Sequence, residues 1–198
     1  MITKPNDWGE SPAIIGGART LPAGNYKCKI VNVEKSTSKN GNDMLKIFFD
    51  IDEGDYAGIY MDRYLNNKKS NEEAKYPNAG VYYQLLGEGQ TGRLKGLVQC
   101  LEMSNPAFKW NWNEQAMNGC VFAGQFREEE YFNQNGELRT SVKLVYIHPL
   151  EELANLDVLP MKQVNKAGTG APRNSAESER QLESIFGGPA APSDQIPF

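Results

Sequence analysis

Alternation of apolar and polar positions is clearest over residues 44–51, Met44-Leu45-Lys46-Ile47-Phe48-Phe49-Asp50-Ile51. Leu45, Ile47, Phe49 and Ile51 share one face, and Met44, Lys46, Phe48 and Asp50 share the other. The first face reads as core. Residues 26–33 form a second extended run, and the polar stretch 36–42 turns the chain between the two, so residues 24–51 are predicted to be a long β-hairpin. Residues 59–65 read as a third strand after the turn at Glu53-Gly54-Asp55. If Ile59, Met61 and Leu65 point inward, Tyr60 and Tyr64 point outward beside the Lys46/Phe48 face, and a slip of one residue reverses this. Residues 66–78 are polar with Lys68, Lys69 and Lys75, and read as a surface loop, either a flexible basic wall of a groove or an ordinary solvated loop. Residues 81–86 fit either a helix turn or a strand. Leu94, Leu97, Val98 and Leu101 fall at i, i+3, i+4 and i+7, one helical face that Ser104-Asn105-Pro106 ends. Strands are predicted over 120–127 and 138–147, with Asn135-Gly136 turning between them. Gly124 inside the first of these suggests a bulge or a sharp bend. A short helix is expected over 150–156 after Pro149.

A three-strand meander, a helix and a hairpin make the element order of the OB-fold. The expectation is a mainly β protein: a five-stranded OB-like barrel with one or two helices, occupying residues 24–164, behind an N-terminal arm (1–23) and before a disordered tail (165–198) rich in Gly, Pro, Ala, Ser and charge. SH3-like barrels give similar strings of elements. Trp8, Ile14 and Ile15 are candidates to anchor the arm.

Composition sharpens this picture. Hydrophobic residues make up 39% and charged residues 23% of the 198 positions, which suits a folded soluble domain. A net charge of −4 argues against unspecific binding to duplex DNA or anionic membranes, although a local basic groove remains compatible with it. No leader-like apolar run opens the chain, and no stretch is apolar for long enough to span a membrane, so a cytoplasmic location is expected. Cys28, Cys100 and Cys120 lie far apart, and His148 is the single histidine; neither a zinc site nor a disulfide framework is expected, and no cofactor. Asp50, Asp52, Asp55 and Asp62 are the carboxylates a metal-dependent nuclease would use, but they come without a nucleophile elbow or phosphate loop, so a non-enzymatic protein is expected.

The candidate chemistry is that of single-stranded nucleic acid, a flexible polyanion with stackable bases. Lys27 and Lys29 share one face of the first strand, and Lys46 and Phe48 share the non-core face of the second. Tyr60 and Arg63 follow on the next element. Phe108-Lys109-Trp110-Asn111-Trp112 alternates aromatics around a lysine: either a stacking platform that includes Trp110 and Trp112, or large rings closing the core. Arg127, Arg139 and Lys143 extend the cationic set, with Glu128-Glu129-Glu130 as an acidic rim or a solvated run.

The chain ends in Pro192-Ser193-Asp194-Gln195-Ile196-Pro197-Phe198. Pro197 holds Ile196 extended, which lowers the entropy lost on docking, and the carboxylates and the Phe198 ring suit a basic-rimmed apolar pocket on a partner. A flexible tail of this length reaches roughly 30 Å. Asp194 with Ile196-Pro197-Phe198 resembles the C-terminal tip of bacterial single-stranded DNA-binding proteins, where such a tip recruits replication, repair and recombination enzymes. Ser193 and Gln195 stand where that family usually has further aspartates, which implies weaker or phage-specific partner binding. Leu21-Pro22-Ala23-Gly24-Asn25-Tyr26 and Asn40-Gly41-Asn42-Asp43-Met44-Leu45 resemble a family of phage and mobile-element proteins of replication and recombination modules, over roughly residues 20–150. The resemblances imply a strand-binding protein of the host cytoplasm that recruits replication and recombination proteins through its tip. A barrel that binds only protein is the alternative. Homo-oligomers through the arm or an open strand edge are compatible with either.

Overall fold

A computed structural model describes residues 3–6, 9 and 19–164. The tip residues Asp194, Ile196, Pro197 and Phe198, the rest of 165–198, and Trp8, Ile14 and Ile15 lie outside the described residues.

The alternation in the first half of the chain produces β1 (Gly24–Thr37) and β2 (Asp43–Ile51), paired antiparallel. Leu45, Ile47, Phe49 and Ile51 are all buried, with Cys28, Ile30 and Val33 of β1 beside them. Between Ile30 and Asn32 the register shifts, leaving Val31 as the extra residue of a bulge. The bulge keeps Lys29, Asn32 and Glu34 in register with Asp50, Phe48 and Lys46, all on the face turned away from the core.

The chain then departs from the expected third strand. Residues Ile59–Ser70 are a helix, α1, and the third strand is β3 (Val81–Leu85), introduced by a 3₁₀ turn at Asn78–Gly80. The reason lies partly in β2. The Asp50 carboxylate accepts hydrogen bonds from the N–H groups of Tyr60 (3.0 Å) and Met61 (2.7 Å), supplying from a neighbouring strand the cap that a helix start requires. Gly58, at φ 71°, makes the left-handed turn into the helix. Lys68 and Lys69 sit in its last turn, where a cation is favourable. Only Ile59 and Tyr60 of α1 are buried, and Leu65, expected to point inward, is exposed.

α2 (Thr91–Ser104) buries Leu97 and Leu101 with Leu94 and Val98 packed beside them, and Asn105 closes it, as the spacing predicts. β4 (Val121–Phe132) and β5 (Leu138–His148) form the closing hairpin, with Gly136 at φ 76° in its turn. Gly124 stands one residue before a register shift at Gln125/Phe126, and a Cβ there would come within 2.8 Å of the Cys28 sulfur. Residues Leu150–Asn155 form a 3₁₀ turn.

The five strands make one antiparallel sheet in the order β3-β2-β1-β4-β5. β1 is central, and β3 and β5 are the edges, with no ladder between them among the described residues. Past Phe126, which pairs with the first residue of β1, the chain supplies a substitute neighbour for β4. Lys162 bonds Glu128 and Glu130 through its backbone, running parallel to the strand. Among the described residues, no helix is long and apolar enough to cross a membrane.

Candidate nucleic-acid interface

The non-core face of β1, β2 and β3 carries two rows of cross-strand neighbours. One is Asn32, Phe48 and Val81; the other is Glu34, Lys46 and Tyr83. Side chains opposite one another in such a ladder stand about 5 Å apart, so each row is a continuous strip. Over this strip α1 contributes Met61 and Tyr64, and the segment after α1 contributes Lys75 and Tyr76. Together they enclose an open groove of about 500 Å³.

Tyr76 fixes the wall. Its hydroxyl donates to the Phe49 carbonyl (2.9 Å) and lies 3.4 Å from the Asp50 carboxylate, while its ring stands edge-on to Phe48 at 5.7 Å and tilted against Tyr64 at 5.8 Å. Burial, reinforced by the negative Asp50, pushes the Tyr76 phenol above its ordinary pKa, so the hydroxyl remains a donor. Gly80 makes room: a Cβ there would fall 2.7 Å from the Tyr76 ring and 2.9 Å from that of Tyr60. Lys68 lies over Tyr64, with its ammonium 5.4 Å from the ring centroid and 3.2 Å from the hydroxyl. Tyr83 is left 47% exposed on the floor. Four rings and two lysines, Lys46 and Lys75, therefore converge in one concavity.

Of the residues singled out in the sequence, Lys46 and Phe48 line this groove. The others lie elsewhere. Lys29 is exposed on β1, across from Asp50. Lys27 is held between Glu53 (3.0 Å) and Asp52 (3.1 Å), whose hydrogen bonds, that of Glu53 foremost, raise its pKa. Tyr60 is a correction: it is 2% exposed, packed edge-on against Phe49 at 5.8 Å, because α1 turns it into the core. Arg63 donates from Nη2 to the Arg19 carbonyl (2.9 Å), fastening the segment before β1 to α1. Arg19 in turn lies over the Tyr56 ring and donates to the Asp55 carbonyl.

The aromatic stretch divides between its two readings. Phe108 is buried in the core, and Trp110 packs partly against the core with its backbone N–H donating to Glu102 Oε1 (2.9 Å). Trp112 is 80% exposed at φ 65°, its ring 5.9 Å from that of Trp110. A bulky side chain in the left-handed region costs on the order of 1–3 kcal/mol. Neither tryptophan lines the groove. A second cleft, of about 400 Å³, has Phe108 and Lys109 in its lining. Arg127 and Lys143 both pair with Glu129 (2.5 and 3.4 Å), and Arg139 pairs with Glu137 (2.8 Å). The cations of the β4–β5 hairpin are thus matched by its own carboxylates instead of extending the groove.

Tyr64 beside the Lys46/Phe48 face and Lys75 in a basic groove wall are legible as possibilities in the sequence, whereas Tyr76 and Tyr83 carry no binding signal there. They come from a helix, a loop and a strand that only tertiary packing brings together. Among the described residues, no group of three or more His, Cys, Asp or Glu side chains is placed to hold a metal ion. The Cys28 thiol is buried, and burial raises its pKa, so it stays a protonated core residue.

Residues 12–85 match a family model described as a protein of unknown function, DUF669. The matched stretch takes in β1, β2, α1 and β3, the four elements around the groove, and stops at the last residue of β3. No curated protein matches the chain.

Proposed function

We propose that this protein binds single-stranded DNA without acting on it chemically, that it does so in the groove over β1–β3, and that its sheet is an open form of the OB-type barrel. The observation that carries the reading is the convergence of Phe48, Tyr64, Tyr76 and Tyr83 with Lys46 and Lys75 in a groove of about 500 Å³. Rings offer π-faces to unpaired bases, and lysines track the phosphates between them. The element order supports the fold reading: a central β1 paired to both β2 and β4, with α2 between β3 and β4. The 3₁₀ turn that opens β3 already lies against β5, the two edges that a closed barrel would join. In OB-folds the face of strands 2 and 3 takes oligonucleotides, which supports a strand lying over β2 and β3. Trp112 offers a further stacking surface outside the groove. In this reading the tip Asp194, Ile196, Pro197 and Phe198 recruits replication or recombination proteins.

Binding of a fluorescent oligo-dT, followed by anisotropy and gel shift, tests the reading. Tyr83→Ala removes an exposed ring and should weaken binding by about 1–3 kcal/mol, as for one stacked base. Phe48→Ala should do at least as much. Deleting residues 196–198 should leave DNA binding intact and abolish capture of a tip-reading replication protein. Unchanged affinity in folded Tyr83→Ala and Phe48→Ala would remove the groove from the site.

A protein partner is favoured at one other place. Tyr131, Phe132 and Leu138 are exposed together at the turn end of β4 and β5, where Phe132 and Leu138 are cross-strand neighbours. No salt-dependent DNA binding at all would select a purely protein-binding role.

A further inference from the structure

The groove contains one feature that phosphate binding does not explain. Glu34, a carboxylate, stands in the same cross-strand row as Lys46 and Tyr83. A carboxylate repels phosphate, so a strand lying here must turn something else towards it. Asn32 donates from Nδ2 to Glu34 Oε1 (3.1 Å). Glu34 Oε2 and Asn32 Oδ1 have no protein donor among the described residues. Both are acceptors, and both residues lie on β1, with Asn32 directly across from Phe48.

We propose that Glu34, oriented by Asn32, reads the edge of a base stacked on Phe48 and makes the groove prefer guanine. This rests on the strand-binding reading above. The Watson–Crick edge of guanine presents N1–H and an N2 amino hydrogen side by side, two donors that meet the two oxygens of a carboxylate. Thymine presents one N3–H between two carbonyl oxygens, which the carboxylate repels. Cytosine and adenine each present one amino group beside a ring nitrogen that is itself an acceptor. Unpaired bases are available for such contacts on their Watson–Crick edges, and bonds to an ionised acceptor are the stronger kind. Lys46 keeps the local charge from becoming net negative.

The experiment compares d(TG)6, dT12 and d(TI)6, in which inosine lacks only the N2 amino group, by competition against a labelled oligonucleotide in lithium buffer. A well-placed two-bond base contact is worth about tenfold or more in discrimination. The full-length protein should therefore bind d(TG)6 about tenfold more tightly than dT12, with d(TI)6 losing most of that gain. Glu34→Gln, an exposed and nearly isosteric change, should bind d(TG)6 and d(TI)6 alike and hold dT12 at least as well as the unaltered protein. Equal binding of d(TG)6 and dT12 by the unaltered protein overturns the base preference and leaves strand binding standing. A preference that survives in Glu34→Gln overturns the role of Glu34. No binding of any of the three at low salt overturns the strand-binding reading itself.

Discussion

A single carboxylate near the end of β2 decides where the wall of the groove stands. Asp50 is 6% exposed, and its oxygens take the N–H groups of Ile51, Tyr60 and Met61. In Asp50→Ala the two helix N–H groups would be left inside the protein without acceptors, at about 1–3 kcal/mol for each group left unsatisfied. Urea unfolding should show a loss of that order, and the same variant should bind DNA more weakly because α1 loses its fixed start. The sequence reads Asp50 as a polar position on the outer face of a strand, or as a stray acid of a nuclease. Its two helix partners lie ten and eleven positions further on, in an element that the local pattern does not reveal. Lys46 and Phe48 were legible for the opposite reason. They belong to one strand with a strict period of two, and once Leu45, Ile47, Phe49 and Ile51 are buried, their own orientation follows.

At the scale of elements, legibility follows the length of the repeat. β1, β2, α2 and the β4–β5 hairpin each repeat their period at least twice before a turn signal. The stretch 59–65 carries Ile59, Met61 and Leu65 at odd positions, which imitates a strand, and a five-residue β3 is too short to declare a period. α1 forms because Gly58 and Asp50 supply its start, and only its first turn is buried. The hairpin has its own electrostatic support. Burial pushes the Glu129 carboxyl upward, but the Arg127 hydrogen bond and the charges of Lys143 and Lys162 outweigh this and hold it below its ordinary value of 4.5. A lowered folded pKa means stabilisation that is complete above the unfolded value and disappears as the pH falls through the folded one. Thermal melts of the unaltered protein and Glu129→Gln should therefore differ most near neutral pH and converge on acidification below about pH 4. A gap that persists unchanged in acid would assign the role of Glu129 to packing.

For the whole molecule, the net charge of −4 and the local cations make opposite demands. If binding is confined to the groove, Lys46 and Lys75 are the cations that line it, with Lys68 at its wall. Each phosphate neutralised on a single strand contributes about −0.7 to the slope of log K against log salt, so a slope of roughly −1.5 to −2 is expected. A titration series from low to high salt measures it. A slope several times steeper would require phosphate contacts well beyond the groove, with Lys29 the first exposed candidate on the same face of the sheet.

Lys162 runs parallel to β4, and the Val164 N–H closes on the Glu130 carboxylate at 3.0 Å. This sets a direction as well as a contact. The chain leaves the sheet heading for the turn of the β4–β5 hairpin, beyond the Gly24 end of β1, whereas Asn32 and Glu34 mark the groove towards the opposite end. β1 thus keeps the two features apart: the groove lies towards one of its ends, and Val164 stands beyond the other.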